Sequence, residues 1–348
     1  MVSLLTRSRT SPIGVHIGSR SVKLIQFDAA GTSVMDAVRW DFAGEADQED
    51  DGVLAEAIER AREGRGFRGR RAVFCLGARD LFVQNLRVNQ AAGDELRRIV
   101  RCEAAGRLPF PSQDAELRFV EAADVRQGGA ARREVIVLAC HRSVIARLLA
   151  VAERCRLNPV AIDVEPGALL RCYAKQYRRD DDQQQQRMFV HIGGAMTAVV
   201  IARGTHTMFV KYIDCGGRRL DEAVARYLRM PPADAAALRR HNGDRRVDQR
   251  DPEVTRSIAE ALRPSLDQLA GELSMCVRYY SVTFRGQPIS QVVLSGGEAS
   301  DTLLEWLGAR LGLPCELGNP LRSFSPTAIA GRMGQWDVAA GLALKGMN

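Results

Sequence analysis

Two short stretches of this chain carry residues whose types and spacing suit the binding of a phosphate group. The first is HIGSRSVK at residues 16–23, and the second is HIGG at residues 191–194, which repeats its opening tripeptide. Each pattern predicts a tight glycine turn between two strands, where backbone N–H groups converge and the missing Cβ lets an anion approach closely. The predicted donors are the N–H groups of Gly18, Ser19, Arg20, Gly193, Gly194 and Ala195.

Side chains beside the first turn extend this prediction. Ser19 and Ser21 can donate hydroxyl hydrogen bonds to a phosphate, and Lys23 can supply a positive charge. A single glycine turn is equally well explained as an ordinary β-turn. The chain has only five histidines, so two of them at the head of matching turns indicate a duplicated domain whose halves share one ligand in a cleft.

The composition narrows the classes of protein that need to be considered. The 348 residues allow two or three packing units, and 46% hydrophobic with 26% charged residues is ordinary for a globular chain. The formal charge of +7 comes from arginines spread among acids, which favours a charged surface over nucleic-acid binding. The eight cysteines form no CxxC pair, so we expect buried, reduced thiols. No apolar run approaches the ~20 residues of a membrane helix, and no signal peptide is indicated.

The elements around the turns are predicted from periodicity and from prolines and glycines. Residues 13–28 are predicted as strand, turn and strand, and the same series follows residue 188. Between them, residues 89–160 combine a helix ended by LPFP, two strands and a second helix, which predicts a compact α/β unit. The charged stretch RRDDDQQQQR at 178–187 is predicted to link the two halves. A long helix in the second half is predicted to break at Pro264.

Several motifs occur in the order found in the superfold of actin, Hsp70 and sugar kinases, and within it the chain resembles the PilM proteins of type IV pilus assembly. IGVHIGSRSVKLIQF resembles the first phosphate loop of that family, and FVHIGGAMTAVVIARG with YIDCGGRRLDEAVAR resembles its second phosphate region. ELSMCVRYYSVTF, ISQVVLSGGEA and LLEWLGARLGLPCELGNP are similar to its long helix, adenosine loop and closing segment. DVEPGALL is similar to the helix that connects the halves.

The resemblance implies an α/β, actin-like (ribonuclease H-like) duplicated fold. Two lobes would surround a nucleotide cleft, and an inserted 1C subdomain of the kind shared by PilM and FtsA would extend the first lobe. The implied subdomains are 1A (1–88, with 161–186 and 325–348 returning to it), 1C (89–160), 2A (187–219 and 281–324) and 2B (220–280).

The resemblance also implies that the cleft binds ATP. The residues expected to contact the nucleotide lie in both turns and in three further segments: Gly18, Ser19, Arg20, Ser21, Lys23, Gly193, Gly194, Ala195, Gly216, Gly217, Glu272, Ser295, Gly296 and Gly297. Among these, Glu272 is expected at the ribose hydroxyls. Glu165 resembles the catalytic acid that positions attacking water in Hsp70-like and actin-like relatives, although a carboxylate at the start of the following helix explains it equally well.

The chain departs from the family at His16 and His191, because the resemblance implies at both positions an aspartate that holds Mg²⁺ through water. Mg²⁺ prefers oxygen ligands, whereas a neutral imidazole suits zinc, nickel or copper. Two neutral rings in place of two carboxylates also leave the cleft with about two fewer negative charges, which weakens a divalent-cation site and reduces repulsion of phosphates. Three outcomes stay open, in this order: nucleotide binds while Mg²⁺ is held poorly and hydrolysis is slow or absent; the cleft is an empty scaffold; or the two histidines bind a transition metal.

The function implied is that of a cytoplasmic scaffold of type IV pilus assembly, peripheral to the inner membrane through a partner and without direct membrane insertion. Its expected partners are the N-terminal cytoplasmic tail of a PilN-like membrane protein, other pilus assembly proteins and a second copy of the chain; no nucleic acid is expected. We expect the tail beside the inserted unit, at helix 91–106 and strands 115–140, recognised by backbone hydrogen bonds and side-chain pockets.

Other classes stand as alternatives. An active ATPase or kinase of the same superfold would need an acid and a metal near the phosphates, which the two histidines disfavour. An FtsA-type filament protein would need a C-terminal amphipathic membrane helix, whereas this sequence ends at LALKGMN. The cytoplasmic GspL-like component of a type II secretion system would continue into a membrane helix.

Overall fold

The computed structural model describes residues 10–42, 50–285, 288–325, 329 and 331–347. The strands of this part are β1 (Ile13–Ile17), β2 (Ser21–Phe27), β3 (Val34–Asp41), β4 (Arg71–Leu76), β5 (Phe82–Asn89), β6 (Ala115–Gln127), β7 (Ala130–His141), β8 (Asn158–Val164), β9 (Gln186–Ile192), β10 (Thr197–Arg203), β11 (His206–Ile213), β12 (Ile289–Ser295) and β13 (Cys315–Leu317). Its helices are α1 (Asp51–Arg62), α2 (Gly93–Ala105), α3 (Arg142–Arg154), α4 (Glu165–Ala174), α5 (Asp180–Gln184), α6 (Gly217–Leu228), α7 (Pro232–Asp244), α8 (Pro252–Thr283), α9 (Asp301–Leu311) and α10 (Asp337–Ala343). None of these helices is long and apolar enough to cross a bilayer. The predicted subdomain 1A also takes in residues 1–9, 43–49, 326–328, 330 and 348, which lie outside the described residues.

The first lobe is built on a five-stranded sheet in the order β3-β2-β1-β4-β8. β1 and β2 form the predicted antiparallel hairpin, with His16 opposite Lys23, while β4 joins β1 and β8 joins β4 in parallel. Side chains alternate between the two faces of a strand, so both faces of this sheet can be covered. One face packs on α1 and α3 through Val15, Ile58 and Val151, and the other packs on α4 and α10.

The second lobe repeats this arrangement with a sheet in the order β11-β10-β9-β12-β13. β9 and β10 form the second hairpin, β11 continues it antiparallel to β10, and β12 runs parallel to β9 and β13. His191 is the residue before last in β9, as His16 is in β1. The core lies between this sheet and α6, α8 and α9, where Leu220, Leu273 and Leu303 are buried. The predicted duplication is therefore confirmed.

A three-stranded antiparallel sheet in the order β5-β7-β6 is inserted between β4 and β8 of the first lobe. α2 covers it by burying Leu96, Val100 and Ala104. The sheet begins at Phe82 rather than at residue 89, because β5 pairs with β7 along its whole length. α3, which the sequence grouped with this unit, packs on α1 in the core of the first lobe. The limits predicted for the inserted subdomain thus differ from the packing at both ends.

The long helix α8 corrects one prediction, because it runs through Pro264 without a break for 32 residues. Proline removes one backbone hydrogen bond. The same buried face nevertheless continues on both sides, at Ile258 and Ala261 before the proline and at Leu266 and Leu269 after it. Packing of that face against the lobe supplies most of the stability of such a helix and keeps the two halves in line. The predicted break is wrong.

Two further features differ from the sequence prediction in detail. Residues Asp180–Gln184 of the charged link form the short helix α5, and Gln186 and Arg187 already belong to β9. Six of the eight cysteines are buried free thiols as expected, whereas Cys102 is exposed and Cys315 is half-buried. Neither difference changes the path of the chain between the two lobes.

Candidate functional site

A cavity of about 700 Å³ opens between the two lobes, and both glycine turns line it. This cavity is called the cleft below. The predicted residues in its wall are Gly18, Ser19, Arg20, Ser21, Lys23, Gly193, Gly194, Ala195 and Gly297, together with His16, His191 and Glu165. Its volume is in the range of ordinary ligand pockets. The two turns therefore face one shared space, as a duplicated domain with a common ligand requires.

Five other residues predicted to contact a nucleotide lie outside this wall: Gly216, Gly217, Ser295, Gly296 and Glu272. The four small ones pack behind the second turn. A Cβ on Gly216, for example, would lie 2.5 Å from the carbonyl carbon of Ala195, so glycine lets the two segments touch. Glu272 accepts a hydrogen bond from Lys211 at 2.7 Å and is not among the residues of the cleft wall. The small residues thus support the turn, and Glu272 has a different partner in this structure.

Each turn is closed by its own glycine. The N–H groups of Gly18 and Gly193 each donate to the carbonyl of the residue three positions on, at 3.0 Å. The sequence predicted that these two N–H groups point into the cleft, but each is already engaged in the hydrogen bond that closes its own turn. The turns also touch one another, since a Cβ on Gly194 would lie 2.4 Å from Oγ of Ser19.

The two histidines face each other inside the cleft, with ring centroids 6.2 Å apart. Nδ1 of His191 lies 2.7 Å from Oδ2 of Asp337, and Nε2 of His16 lies 3.6 Å from Oε1 of Glu165. Burial lowers the pKa of His16, because the longer contact with Glu165 compensates only in part. Burial acts in the same direction at His191, but the close Asp337 carboxylate outweighs it and raises the pKa. One ring is therefore neutral, and the other favours a proton.

Asp337, the acid that controls His191, was not predicted from the sequence. It is the first residue of α10 and is wholly buried, and it accepts a hydrogen bond from the N–H of Val338. Burial opposes its ionisation, yet His191 lowers the pKa of Asp337, so the carboxylate stays charged. The signal that could have found it is a lone acid at the start of the apolar helix DVAAGLA.

Glu165 lies in the cleft wall at the first turn of α4, where the N–H groups of a helix start favour a carboxylate. Its Oε2 accepts a hydrogen bond from the hydroxyl of Tyr212, on β11 of the other lobe, at 2.9 Å. Burial raises the pKa of Glu165, but His16, His191 and Tyr212 together lower it below its ordinary value. The side chain is therefore an ionised acid that faces the opposite lobe.

Lys23 places an ammonium group in the cleft. The residue is 8% exposed, and its Nζ donates to Oγ of Ser21 at 3.0 Å. Burial and the nearby Arg39 lower the pKa of Lys23 to about 8, against the opposing influence of Asp337 and Glu165. Lys23 is therefore mainly charged at neutral pH, as the sequence predicted for a side chain beside a phosphate.

Arg20 crosses from the first turn to the second lobe, where its guanidinium donates to Asp221 and, at 2.8 Å, to Glu298. Arg239 on α7 donates to the same two carboxylates at 2.6 and 2.7 Å. We call these four side chains the interlobe ion network. Charge-assisted hydrogen bonds of this kind are strong, and here they tie the two lobes together beside the cleft. The sequence predicted only the N–H of Arg20, because its partners lie 201 and 278 residues away and leave no local pattern.

The two carboxylates nearest the histidines already have partners. Each of the carboxylates Glu165 and Asp337 is paired with a histidine, and Lys23 adds a positive charge nearby. Within the part of the chain that the structure describes, no group of three or more His, Cys, Asp or Glu side chains is placed to hold a metal ion. Mg²⁺ needs several oxygen ligands and gives up its coordinated water molecules reluctantly. Glu165 and Asp337 are thus engaged by the histidines, beside a charged ammonium group.

Residues 14–347 match a protein-family model described as type IV pilus assembly protein PilM. Among solved structures, the chain is similar to a PilM–PilN type IV pilus biogenesis complex, with a TM-score of 0.80 at 23% identity over 98% of this chain and 99% of that one. It is also similar to the ethanolamine utilization protein EutJ from Carboxydothermus hydrogenoformans (TM-score 0.59, 14% identity, 96% and 89% covered). A further similar structure is MreB 5 of Spiroplasma citri bound to AMPPNP (TM-score 0.51, 10% identity, 96% and 95% covered). These likenesses confirm the actin-like, two-lobed fold expected from the sequence.

Proposed function

This chain belongs to the PilM family of type IV pilus assembly proteins, and from that premise we propose that it is a cytoplasmic scaffold of pilus assembly. It binds the N-terminal cytoplasmic tail of a PilN-like inner-membrane protein, and through that tail it lies at the membrane. It also contacts other pilus assembly proteins and further copies of itself. The observation that supports this proposal most is the family match over residues 14–347.

The groove that takes the tail lies beside the inserted sheet. The sequence placed the tail at helix 91–106 and strands 115–140, but the apolar face of α2 is buried in the core of its own unit. A cavity of about 850 Å³ lies instead between β5 and β11, each of which is an edge strand of its sheet. Its wall includes Phe82, Pro109, Phe209, Met275 and Tyr279. Edge strands provide backbone hydrogen bonds and apolar walls provide pockets, which is what an extended peptide needs.

Substitution of Met275 by aspartate tests this placement. Met275 is 52% exposed and lines the groove, so a bound tail would cover it. Loss of that burial and introduction of a charge should weaken binding about ten- to hundredfold, as expected for one buried apolar side chain. The measurement is fluorescence anisotropy of a labelled peptide with the sequence of the partner's N-terminal tail.

Val282→Asp is the matched control, because Val282 lies on the same helix, is 69% exposed and is outside the groove wall. It should bind the tail like the wild type. Absence of wild-type binding at high micromolar concentration contradicts the scaffold proposal. Equal weakening by both substitutions, or by neither, contradicts the groove.

We further propose that the cleft binds an adenine nucleotide and hydrolyses it slowly or not at all. The two turns that share the cleft and the charge of Lys23 support binding, and the similar MreB structure is one with AMPPNP bound. An active ATPase is the alternative, since Glu165 lies in the same wall. Phosphate release with Mg²⁺ that is abolished in Glu165→Gln would favour the ATPase over the scaffold with a weak or inactive site.

A further inference from the structure

We infer that the cleft recognises a nucleotide as its metal-free polyphosphate anion, with Lys23 and His191 supplying the positive charge that a metal ion would otherwise bring. This inference rests on the nucleotide-binding part of the proposed function. It names the form of the ligand and the residues that neutralise it. The two groups come from different lobes, so both sides of the cleft contribute one cation.

Lys23 places its charge at the first turn. A Cβ on Gly18 would lie 3.8 Å from Nζ of Lys23, so the ammonium lies directly beside the turn. An ammonium has three donors, and among the described contacts Nζ makes one hydrogen bond, to Ser21. A buried ammonium with donors to spare is well placed to bind a phosphate oxygen.

His191 places its charge at the second turn. Its Nδ1 is directed at Asp337, which leaves Nε2 pointing toward the turn, 3.7 Å from the position of a Cβ on Gly193. A carboxylate behind one ring nitrogen orients the imidazole and favours its protonated form. Nε2–H can then donate a charge-assisted hydrogen bond to a phosphate oxygen.

His16 lines the same cleft but has one buried ring nitrogen without a partner. The ring is 5% exposed, and Nδ1 has no hydrogen-bond partner among the described residues. A buried polar atom without a partner costs free energy, so such atoms in native proteins are usually satisfied by a ligand or water. Nδ1 is enclosed by protein rather than open to the cleft, so the partner expected for it is a water held beside the ring.

The charge of the cleft sets the expected effect of Mg²⁺. Among the described residues, seven arginine or lysine side chains and four aspartate or glutamate side chains line it, so cations outnumber acids in the wall itself. A dication would meet the positive charges of Lys23 and a protonated His191, while the carboxylates Glu165 and Asp337 that could attract it are already paired with the two histidines. Free ATP carries more negative charge than its magnesium complex, so the free form should be preferred.

The test is a pair of titrations of the full chain with ATP, one in EDTA and one with excess Mg²⁺, read by isothermal calorimetry. We expect binding in EDTA that is weakened severalfold by Mg²⁺, and competition by inorganic tripolyphosphate in EDTA. Lys23→Met should weaken metal-free binding about ten- to hundredfold, as expected for loss of a hydrogen bond to a charged group. Lys175→Met is the control, since Lys175 donates to the carbonyl of Gly31 away from the cleft wall and should leave binding unchanged.

The outcomes separate this inference from the proposal on which it rests. Binding that requires Mg²⁺ overturns the inference and leaves the nucleotide cleft intact. Absence of binding under both conditions overturns the nucleotide cleft itself. Unchanged metal-free affinity in a folded Lys23→Met variant overturns the role of Lys23; if circular dichroism shows that this variant does not fold, the two wild-type titrations decide.

Discussion

Replacement of Arg239 by methionine tests whether the interlobe ion network stabilises the folded chain. The change keeps most of the apolar side chain and removes the guanidinium. In the wild type, Arg20 and Arg239 neutralise Asp221 and Glu298. The side chains of Arg239, Asp221 and Glu298 are only 9%, 6% and 7% exposed. Little water can therefore replace the partner that the substitution removes.

The expected loss follows from this burial. Removal of one partner from a buried ion pair costs about 3–5 kcal/mol, because an uncompensated charge is left behind. Arg20 still reaches both carboxylates, so we expect the lower end, a loss of about 3 kcal/mol in the free energy of unfolding. Arg97→Met is the matched control. Arg97 pairs with Asp94 at 2.8 Å, but both side chains are exposed, and such pairs contribute about 0–1 kcal/mol.

The loss should also depend on pH. Burial raises the pKa of Glu298, but Arg239 and Arg20 hold it below its ordinary value. A carboxyl with a lowered pKa stabilises the folded state above its unfolded-state pKa of 4.5, and this contribution disappears as the pH falls through the folded-state pKa. Without Arg239, Glu298 should take up a proton at mildly acidic pH, which removes the unpaired charge. The difference between variant and wild type should therefore be smaller at pH 5 than at pH 7.

The assay is urea unfolding followed by far-ultraviolet circular dichroism at both pH values. A chain with two lobes can unfold in more than one step, so the midpoint and slope of each step are compared separately. In the double variant Arg239→Met, Glu298→Gln, a charge and its partner are removed together, and we expect it to regain at least about half of the loss. A loss no larger than that of Arg97→Met, or a double variant no more stable than the single one, would refute the reasoning.

Three further predictions follow from the same structure. The affinity for metal-free ATP should fall about tenfold between pH 7 and pH 9, because Lys23 has a pKa of about 8 and loses its proton in this range. The charged and titratable groups around Lys23 are Arg39 and Asp41 of β3, Asp337 of α10, Glu165 of α4 and the two histidines. Calorimetry that finds the same affinity at both pH values contradicts this prediction. His191 should keep its second proton above pH 6.5, while His16 should already be neutral below that pH. ¹⁵N-edited spectra, assigned with the variants His16→Gln and His191→Gln, measure this, and the reverse order would show that Asp337 and Glu165 do not act on the histidines as described. Gly341→Ala should lower the free energy of unfolding by about 3 kcal/mol or more, since the new Cβ would lie 1.8 Å from the carbonyl oxygen of Ala168. In the same denaturation assay, Gly271→Ala on α8 should raise it by about 0.5–1 kcal/mol, because the new Cβ would meet no neighbouring atom within 4 Å.

The duplication and the shared cleft could be predicted from the sequence because their signals are local. A strand, a histidine, a glycine turn and a second strand follow one another directly within residues 13–27, and residues 186–203 repeat them in the same order. Limits of the inserted unit were harder to predict. β5 joins β7 through hydrogen bonds to residues some 50 positions away, and α3 packs on α1, from which it is separated by the whole inserted sheet. Pairings of this length leave no trace in a local pattern.

The charged groups of the site show a second limit of sequence reasoning. Arg20, Asp221, Arg239 and Glu298 belong to a turn, two helices and a loop. Each one by itself is an ordinary polar residue in a chain rich in arginine and acid. Only the closure of one lobe against the other brings them into one water-poor position, where their charges must be balanced. Composition suggested a solvated surface for all of the arginines, and for Arg20 and Arg239 that interpretation is wrong.

The two HIG tripeptides have the same sequence, yet the pKa of the histidine is lowered in one lobe and raised in the other. Both histidines are buried, and burial alone would make both rings neutral. The difference comes from the acid beside each ring. Asp337, 146 residues after His191, lies at hydrogen-bond distance from that ring. Glu165 lies 3.6 Å from His16 and also accepts a hydrogen bond from the hydroxyl of Tyr212. The protonation states of the two rings are therefore set by tertiary contacts, and the sequence could place the histidines without determining their charge.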